Sequence, residues 1–175
     1  MPPGTILRVC VVCAGNICRS PMAEAVLRAK LEEAGLGDRV TVDSAGTGDW
    51  HVGRAAHARS TAALVRRGYR LNHRARQFAP AWFGERDLVL ALDTDNFNDL
   101  AALAPGNLPA GRLRMLRVDG SADHGDRGDV PDPYGLDDHA YDHALDLIER
   151  ACDTLVLDLL ADLDPGAAAS PADRL

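Results

Sequence analysis

The sequence lacks a hydrophobic run long enough to cross a membrane. The longest apolar run near the N-terminus covers only residues 9–14, whereas a membrane-spanning helix needs about 20 apolar residues. Neither the basic segment nor the cleavage site of a secretory signal peptide accompanies this run. We therefore expect a cytoplasmic protein that does not bind membranes, although secretion without a signal peptide would leave no mark in the sequence.

An excess of positive charge is also missing. The chain of 175 residues carries a formal net charge of -7 at pH 7. Nucleic acids and anionic membrane surfaces bind proteins through a concentrated basic face, and the sequence contains no such cluster. Neither is therefore expected as a partner.

Cysteines are too few for the disulfide framework of a small secreted protein, since only four are present. Those at positions 10, 13 and 18 lie close together, which favours a chemical role. The Cys10-x-x-Cys13 spacing is compatible with zinc binding or dithiol exchange. However, Cys10 lies in an apolar run typical of a strand, in which residues three apart point to opposite faces. We therefore expect neither a metal nor any other cofactor.

Strand and helix patterns alternate along the chain, whose length suits one compact domain. Apolar, β-rich runs predict strands at 6–12, 40–44, 88–92 and 113–116. Helical periodicity predicts helices at 21–34, 55–67, 95–104 and 138–163. The alternation predicts an α/β fold, a twisted four-stranded parallel sheet with helices on both faces and its ligand site at the carboxyl ends of the strands. We expect this domain to span 1–163 and a flexible tail to follow at 164–175.

Local signals mark the first and last helices. Ser20 suits the N-cap of the first helix and Pro21 suits its first helical position. Glu24 and Arg28, four residues apart, are expected to pair on its solvent side. In the last helix, an apolar stripe is expected to lie along the sheet: Tyr141, Leu145, Ile148, Cys152, Leu155 and Leu159.

The turn between the first strand and the first helix carries a Cys-x5-Arg spacing, from Cys13 to Arg19. Backbone N–H groups and the dipole at a helix N-terminus attract anions, and phosphate is the natural guest. Cys13 is expected to be a thiolate in that field, and Arg19 offers a planar fork to phosphate oxygens. Gly15 and Asn16 tolerate the left-handed backbone that a tight loop needs. The predicted strand before this spacing and the helix start after it distinguish the motif from a chance pair.

The segment VCAGNICRSPMAE, residues 12–24, resembles the phosphate-binding loop of the low-molecular-weight protein-tyrosine phosphatases. Other blocks of that family follow in order, at 44–47, 50–53, 72–76, 91–96 and 132–134. The resemblance covers about 6–160 and is closest to bacterial, in particular actinobacterial, members.

This resemblance implies a hydrolase that removes phosphate from phosphotyrosine in proteins through a cysteinyl-phosphate intermediate. It implies that Cys13 is the nucleophile, Arg19 the phosphate clamp and Asp132 the general acid. The implied phosphate-binding residues are Ala14, Gly15, Asn16, Ile17, Cys18 and Ser20. Asn16, Ser20, Ser44 and His73 are implied to form a hydrogen-bond network that supports the loop, with Ser20 also helping the thiolate to leave. The resemblance further implies a redox pairing of Cys13 with Cys18, and we expect a monomer or weak dimer.

A general acid is also expected from the chemistry alone, because a tyrosyl oxygen needs a proton to leave. A long acidic, Gly-rich loop at 118–134 offers several carboxylates: Asp119, Asp123, Asp126, Asp129 and Asp132. Only the Pro-Tyr context singles out Asp132, and Asp129 is the second candidate.

Two aromatic residues on predicted loops, Trp50 and Tyr134, suit the walls of a pocket for a flat phenyl phosphate. His51, beside Trp50, is a candidate for the entrance. Gly135 stands where many members of the family carry a second tyrosine, so regulation through that tyrosine is not expected here.

Three alternative functions remain open from the sequence. Arsenate reduction by a related enzyme needs two further cysteines, and after Cys18 the chain has only Cys152. A phosphoarginine phosphatase has a similar loop with Thr in place of Ile17, and Ile17 favours an apolar phenyl ring. A non-catalytic phosphotyrosine-binding or thiol-sensing module needs neither Cys13 nor Asp132.

Overall fold

The four predicted strands form one parallel sheet in the computed structural model, which describes residues 5–118 and 128–163. The strands are β1 (Leu7–Cys13), β2 (Val40–Gly46), β3 (Leu88–Ala91) and β4 (Leu113–Met115), in the order β2-β1-β3-β4. Val9 of β1 pairs with Val42 on one side and with Leu88 on the other. Because all neighbours are parallel, the strands end at one common edge, and the predicted fold is confirmed.

Helices cover both faces of this sheet. They are α1 (Arg19–Glu33), α2 (Ala58–Arg66), α3 (Thr94–Leu103) and α4 (Asp138–Leu163), with a short 3₁₀ helix at Pro80–Gly84 that the sequence patterns did not predict. On one face, Val9 and Val11 pack with the apolar residues of α1 and α4. On the other face, Cys10 and Val12 pack with Leu100 of α3. The strands read as continuous apolar runs because both faces are buried.

Cys10 and Cys13 belong to the cores on opposite faces of the sheet, as the strand period requires. All four cysteines are free. Within 5–118 and 128–163, no group of three or more His, Cys, Asp or Glu side chains could hold a metal ion.

The prediction for the start of α1 was wrong by two residues. The helix begins at Arg19, and Cys18 takes the N-cap position without a side-chain capping bond. Ser20 does not cap the helix because its hydroxyl instead contacts the sulfur of Cys13 and the carbonyl of Ala45. Pro21 is therefore third in the helix, still within the first turn, where its missing N–H costs no intrahelical bond.

Glu24 was also misassigned, because its side chain is buried and does not lie on the solvent side. It does pair with Arg28, at 2.6 Å, but it also accepts a hydrogen bond from Ser44 of β2. The start of α2 is three residues later than predicted, and α3 starts at Thr94, with Asp93 as the N-cap that accepts from the backbone N–H of Asn96.

The final helix, α4, carries its predicted apolar stripe, and every residue of that stripe is buried. In the part of the chain that the structure describes, no helix is both long and apolar enough to span a membrane. The expected tail at 164–175, and Asp119, Asp123 and Asp126 of the acidic loop, lie outside the described residues.

Candidate active site

The loop from Cys13 to Arg19 joins β1 to α1 at the carboxyl edge of the sheet. Asn16 adopts the predicted left-handed backbone, with φ 53°, whereas Gly15 does not. At Gly15 the missing side chain has another use, because a Cβ atom there would lie 2.9 Å from the ring of His51. The backbone of β2 also comes close to the loop, since a Cβ atom on Gly46 would lie 2.6 Å from the carbonyl oxygen of Ala14.

Asn16 is the centre of the hydrogen bonds that hold this loop. Its side-chain amide donates to Ser20 and to Ser44, each at 2.9 Å, and its side-chain oxygen accepts from the backbone N–H of Arg76 at 2.8 Å. The hydroxyl of Ser20 lies 3.0 Å from the sulfur of Cys13. A strained left-handed residue is thus fixed by three segments of the chain, and the cysteine sulfur is tied to the same network.

A second layer supports this network from α1 and the loop at 72–76. Ser44 donates to the buried carboxylate of Glu24 at 2.6 Å. The ring of His73 contacts the Asn16 carbonyl through Nε2 at 2.7 Å, and Nδ1 lies 3.8 Å from Glu24. Because a carbonyl only accepts, Nε2 carries the proton of this bond. Burial lowers the pKa of His73, against the opposing effects of the Asn16 carbonyl and of Glu24.

Arg19 is buried and held in one orientation. One terminal nitrogen donates to Asp93 at 2.5 Å and to the Val130 carbonyl at 2.9 Å, and the other lies 3.3 Å from Asp132. Burial alone would lower the pKa of Arg19, but the charges of Cys13, Asp132 and Asp93 raise it. The Nε atom is buried and has no hydrogen-bond partner among the described residues. A buried donor of this kind is a natural contact for an anion.

These groups meet at a cavity of about 220 Å³ at the carboxyl edge of the sheet. Its lining consists of Cys13, Ala14, Gly15, Ile17, Cys18, Arg19, Trp50, His51, Asp132 and Tyr134. The two aromatic walls are largely exposed, at 68% for Trp50 and 57% for Tyr134. The cavity therefore combines a cationic, thiol-bearing base with apolar sides, which suits an anion on a flat ring.

Of the two candidate acids, only Asp132 lines this cavity. Its side chain is 49% exposed, so solvent can reach it. The carboxylate of Asp129 accepts instead from the backbone N–H and the hydroxyl of Thr94, at 2.7 and 2.8 Å. Asp129 therefore binds the first residue of α3 and does not face the cavity.

The two other cysteines of interest differ in environment. Cys18 lines the cavity, lies 3.8 Å from the hydroxyl of Tyr141, and has a pKa raised by burial to about 11. Cys152 is fully buried in the core beneath α4, where burial raises its pKa. This geometry therefore does not support a dithiol relay between the phosphate-binding loop and Cys152.

The sequence patterns missed three residues around the site: Asp93, Glu24 and His57. Asp93 had a usable signal, since an acidic residue between a buried strand and a helix is a typical N-cap. From the sequence, Glu24 was expected to form a solvent-exposed ion pair with Arg28 on the same helix. His57 contacts Tyr134 and Tyr141, which lie far away in the chain, so no local pattern could have found it.

Comparison with known proteins gives a consistent result. The family model described as "Low molecular weight phosphotyrosine protein phosphatase" matches residues 8–164. The chain is 47% identical, over 92% of its length and 98% of the relative, to a low molecular weight protein-tyrosine-phosphatase of Streptomyces coelicolor. It superposes with a TM-score of 0.82 on the protein tyrosine phosphatase of Entamoeba histolytica, at 30% identity, covering 90% of this chain and 99% of that one. The same TM-score is found for YfkJ of Bacillus subtilis, at 32% identity over 91% and 98% of the two chains.

Proposed function

Since the chain belongs to the low molecular weight phosphotyrosine protein phosphatase family, a family of enzymes, we propose that it hydrolyses phosphotyrosine in proteins and simple aryl phosphates. The observation that carries the proposal is that Cys13, Arg19 and Asp132 line one cavity with apolar walls. A nucleophile, an anion clamp and an acid are the three groups that such a reaction needs.

In the first step, the phosphate lies in the loop, held by backbone N–H groups and Arg19. The buried Nε atom of Arg19, unpartnered among the described residues, supports this role. The sulfur of Cys13 attacks phosphorus, and the bond from phosphorus to the tyrosyl oxygen breaks. Asp132 gives its proton to that oxygen, so the product leaves as neutral tyrosine.

In the second step, water attacks the cysteinyl phosphate, and Asp132 takes a proton from that water. The sulfur–phosphorus bond breaks, which releases phosphate and a Cys13 thiolate. The Ser20 hydroxyl, 3.0 Å from that sulfur, can donate to the departing thiolate. One carboxyl group thus serves first as acid and then as base.

The walls of the cavity support a phenyl ring as the leaving group. Ile17, Trp50 and Tyr134 present apolar surface around the thiol. Phosphoarginine would bring a charged, planar guanidinium against Ile17, which offers it no hydrogen bond. Arsenate reduction is disfavoured because Cys152 is fully buried in the core beneath α4.

Turnover of p-nitrophenyl phosphate and of a phosphotyrosine peptide tests this proposal. We expect Cys13→Ser to eliminate turnover and to keep its fold and its affinity for phosphate, because a serine hydroxyl is a poor nucleophile at this site. Arg19→Lys should be severely impaired, since an ammonium group cannot replace the planar fork. Near wild-type activity in Cys13→Ser would contradict the mechanism. Binding of the peptide by the wild type without any turnover would instead indicate a non-catalytic module.

A further inference from the structure

His57 connects three parts of the candidate site, although it does not line the cavity itself. Its backbone N–H donates to the Ile17 carbonyl of the phosphate-binding loop at 2.7 Å. Its ring stacks on Tyr141 of α4, with centroids 5.4 Å apart and an interplanar angle of 15°. The same ring meets Tyr134 edge-on, at 5.8 Å and 74°. His57 is thus a junction between the loop, the final helix and the aromatic wall.

Hydrogen bonds fix the orientation of the His57 ring. The backbone N–H of Arg59, which can only donate, lies 3.3 Å from Nδ1. Nδ1 is therefore an acceptor, and the Tyr141 hydroxyl, 3.1 Å away, donates to the same atom. The oxygen of Tyr141 remains free to accept from the Cys18 thiol at 3.8 Å. The ring cannot rotate without losing both donors at Nδ1.

The Tyr134 ring, by contrast, is more than half exposed, and its two aromatic neighbours in the described structure are His57 and His51. His51 is itself at the rim, 6.1 Å from Tyr134 and tilted at 46°. His57 connects the Tyr134 ring to the protein interior, because the His57 ring is hydrogen-bonded to the buried Tyr141. An exposed wall that must meet a flat ring gains affinity when its orientation is fixed beforehand.

We propose that His57 is a positioning residue that holds the Tyr134 ring as a wall for the aryl group of the substrate. The proposal rests on the proposed function. It assigns His57 to recognition of the ring and not of the phosphate. This positioning role belongs to the imidazole side chain. The hydrogen bond to Ile17 uses the backbone N–H of His57, so every substitution except proline retains it.

His57 is also the N-cap of α2, since its side chain accepts from the backbone N–H of Arg59. Two substitutions separate the positioning role from this capping role. His57→Asn keeps a side chain that caps α2 well but removes the ring that faces Tyr134 and Tyr141. Tyr141→Phe keeps the stacked ring but removes the hydroxyl that orients His57. His143→Asn, the same chemical change at an exposed position of α4, is the matched control.

The measurement compares the affinities of phenylphosphonate and inorganic phosphate, together with KM and kcat for phosphotyrosine. For His57→Asn we expect phenylphosphonate affinity to fall about threefold to tenfold, the range for loss of an aromatic pair, with KM rising in parallel. Phosphate affinity and kcat should stay within about twofold of wild type, as should all four quantities in His143→Asn. Tyr141→Phe should show a smaller loss in the same direction.

Unchanged phenylphosphonate affinity in both His57→Asn and Tyr141→Phe would overturn the proposal. Equal losses for phenylphosphonate and phosphate would also overturn it, because they would indicate a distorted phosphate loop. If His57→Asn does not fold, Tyr141→Phe alone decides between these results. If the wild type shows no turnover, the proposed function is wrong and this inference is wrong with it. If the variants are active and their affinity for phenylphosphonate is unchanged, only this inference is wrong.

Discussion

At the scale of single residues, Asp132 lies beside the proposed phosphate clamp at the cavity. Its carboxylate lies 3.3 Å from Arg19 and also accepts from the backbone N–H of Tyr134 at 3.2 Å. We expect Asp132→Asn to lower kcat by roughly 10²–10⁴-fold on phosphotyrosine, the usual range for general acid–base catalysis. The loss should be smaller on p-nitrophenyl phosphate, whose leaving group needs less help from a proton. Steady-state kinetics on both substrates checks this.

Asp129→Asn is the matched control for this substitution. Because the Asp129 carboxylate binds Thr94, its loss should affect the start of α3 and not the leaving-group dependence. An equal loss of kcat on both substrates in Asp132→Asn would mean that Asp132 positions the loop without transferring a proton.

Cys18 supports a redox prediction. Its pKa of about 11 keeps it a protonated thiol at neutral pH, so the expected site of attack by peroxide is Cys13, to give a sulfenic acid. Cys18 can then displace water from that sulfenic acid and form a disulfide, which a thiol reductant reopens. We expect wild type to regain activity after peroxide and reductant, and Cys18→Ser to regain much less. Equal recovery in both proteins would show that Cys18 gives no protection.

Residues of the site differed in how far the sequence could predict them. Cys13 and Arg19 are close in the chain, so a strand, a tight turn and a helix start place them together by local geometry alone. Asp132 needed the resemblance to a family, since only the Pro-Tyr context, which is part of that resemblance, separates it from Asp129. Asp93 and His57 act through partners brought near by the fold, and their contacts depend on side-chain packing that a single sequence does not encode in a readable pattern.

At the scale of elements, the alternating pattern predicted every strand and α-helix in residues 5–118 and 128–163, with errors only at their ends. The ends were wrong where tertiary contacts override local preference. Ser20 is a better N-cap than Cys18 by propensity, but its hydroxyl is engaged with Cys13 and Ala45. The 3₁₀ helix at Pro80–Gly84 was missed because it is short and is stabilised by the burial of Phe83 more than by its own pattern.

The contact between α1 and β2 gives a prediction about stability. Glu24 is buried and accepts from Ser44, so Glu24→Ala leaves the buried Ser44 hydroxyl without an acceptor for its proton. We expect a loss of about 1–3 kcal/mol in the free energy of unfolding, measured by urea denaturation. Glu24→Gln should lose less, because the amide oxygen can still accept from Ser44.

Arg28→Ala is the control on the same helix. The Arg28 side chain is 46% exposed, and an ion pair of this kind contributes only about 0–1 kcal/mol. Arg28 also donates to the Val42 carbonyl of β2 at 3.1 Å. A loss in Arg28→Ala as large as that in Glu24→Ala would therefore mean that the two contacts of Arg28, and not the bond from Ser44 to Glu24, stabilise this part of the fold.

At the scale of the whole molecule, the parallel sheet explains why the site is where it is. β1, β2 and β3 all end at the edge where Cys13, Gly46 and Asp93 lie within or just beyond their strands. The sequence predicted this edge because alternating strands and helices form a parallel sheet, whose ligand site lies at the carboxyl ends of its strands. It could not predict how residues 128–134 reach this edge, since loop paths are set by contacts such as that of Arg19 with the Val130 carbonyl.

Since the loop is held by β2, α1 and the segment at 72–76, an anion bound there should stabilise the entire domain. Any ligand that binds only the folded state raises stability by mass action, by about 2.7 kcal/mol at 100 times its Kd. For a chain of this size we expect inorganic phosphate at that level to raise Tm by roughly 5–10 °C, measured by calorimetry against sodium chloride of equal ionic strength. Cys13→Ser should show a rise at least as large, because a serine hydroxyl presents no negative charge to the anion, and Arg19→Lys should show a much smaller one. An equal rise in chloride, or an undiminished rise in Arg19→Lys, would mean that phosphate stabilises the protein without binding in the loop.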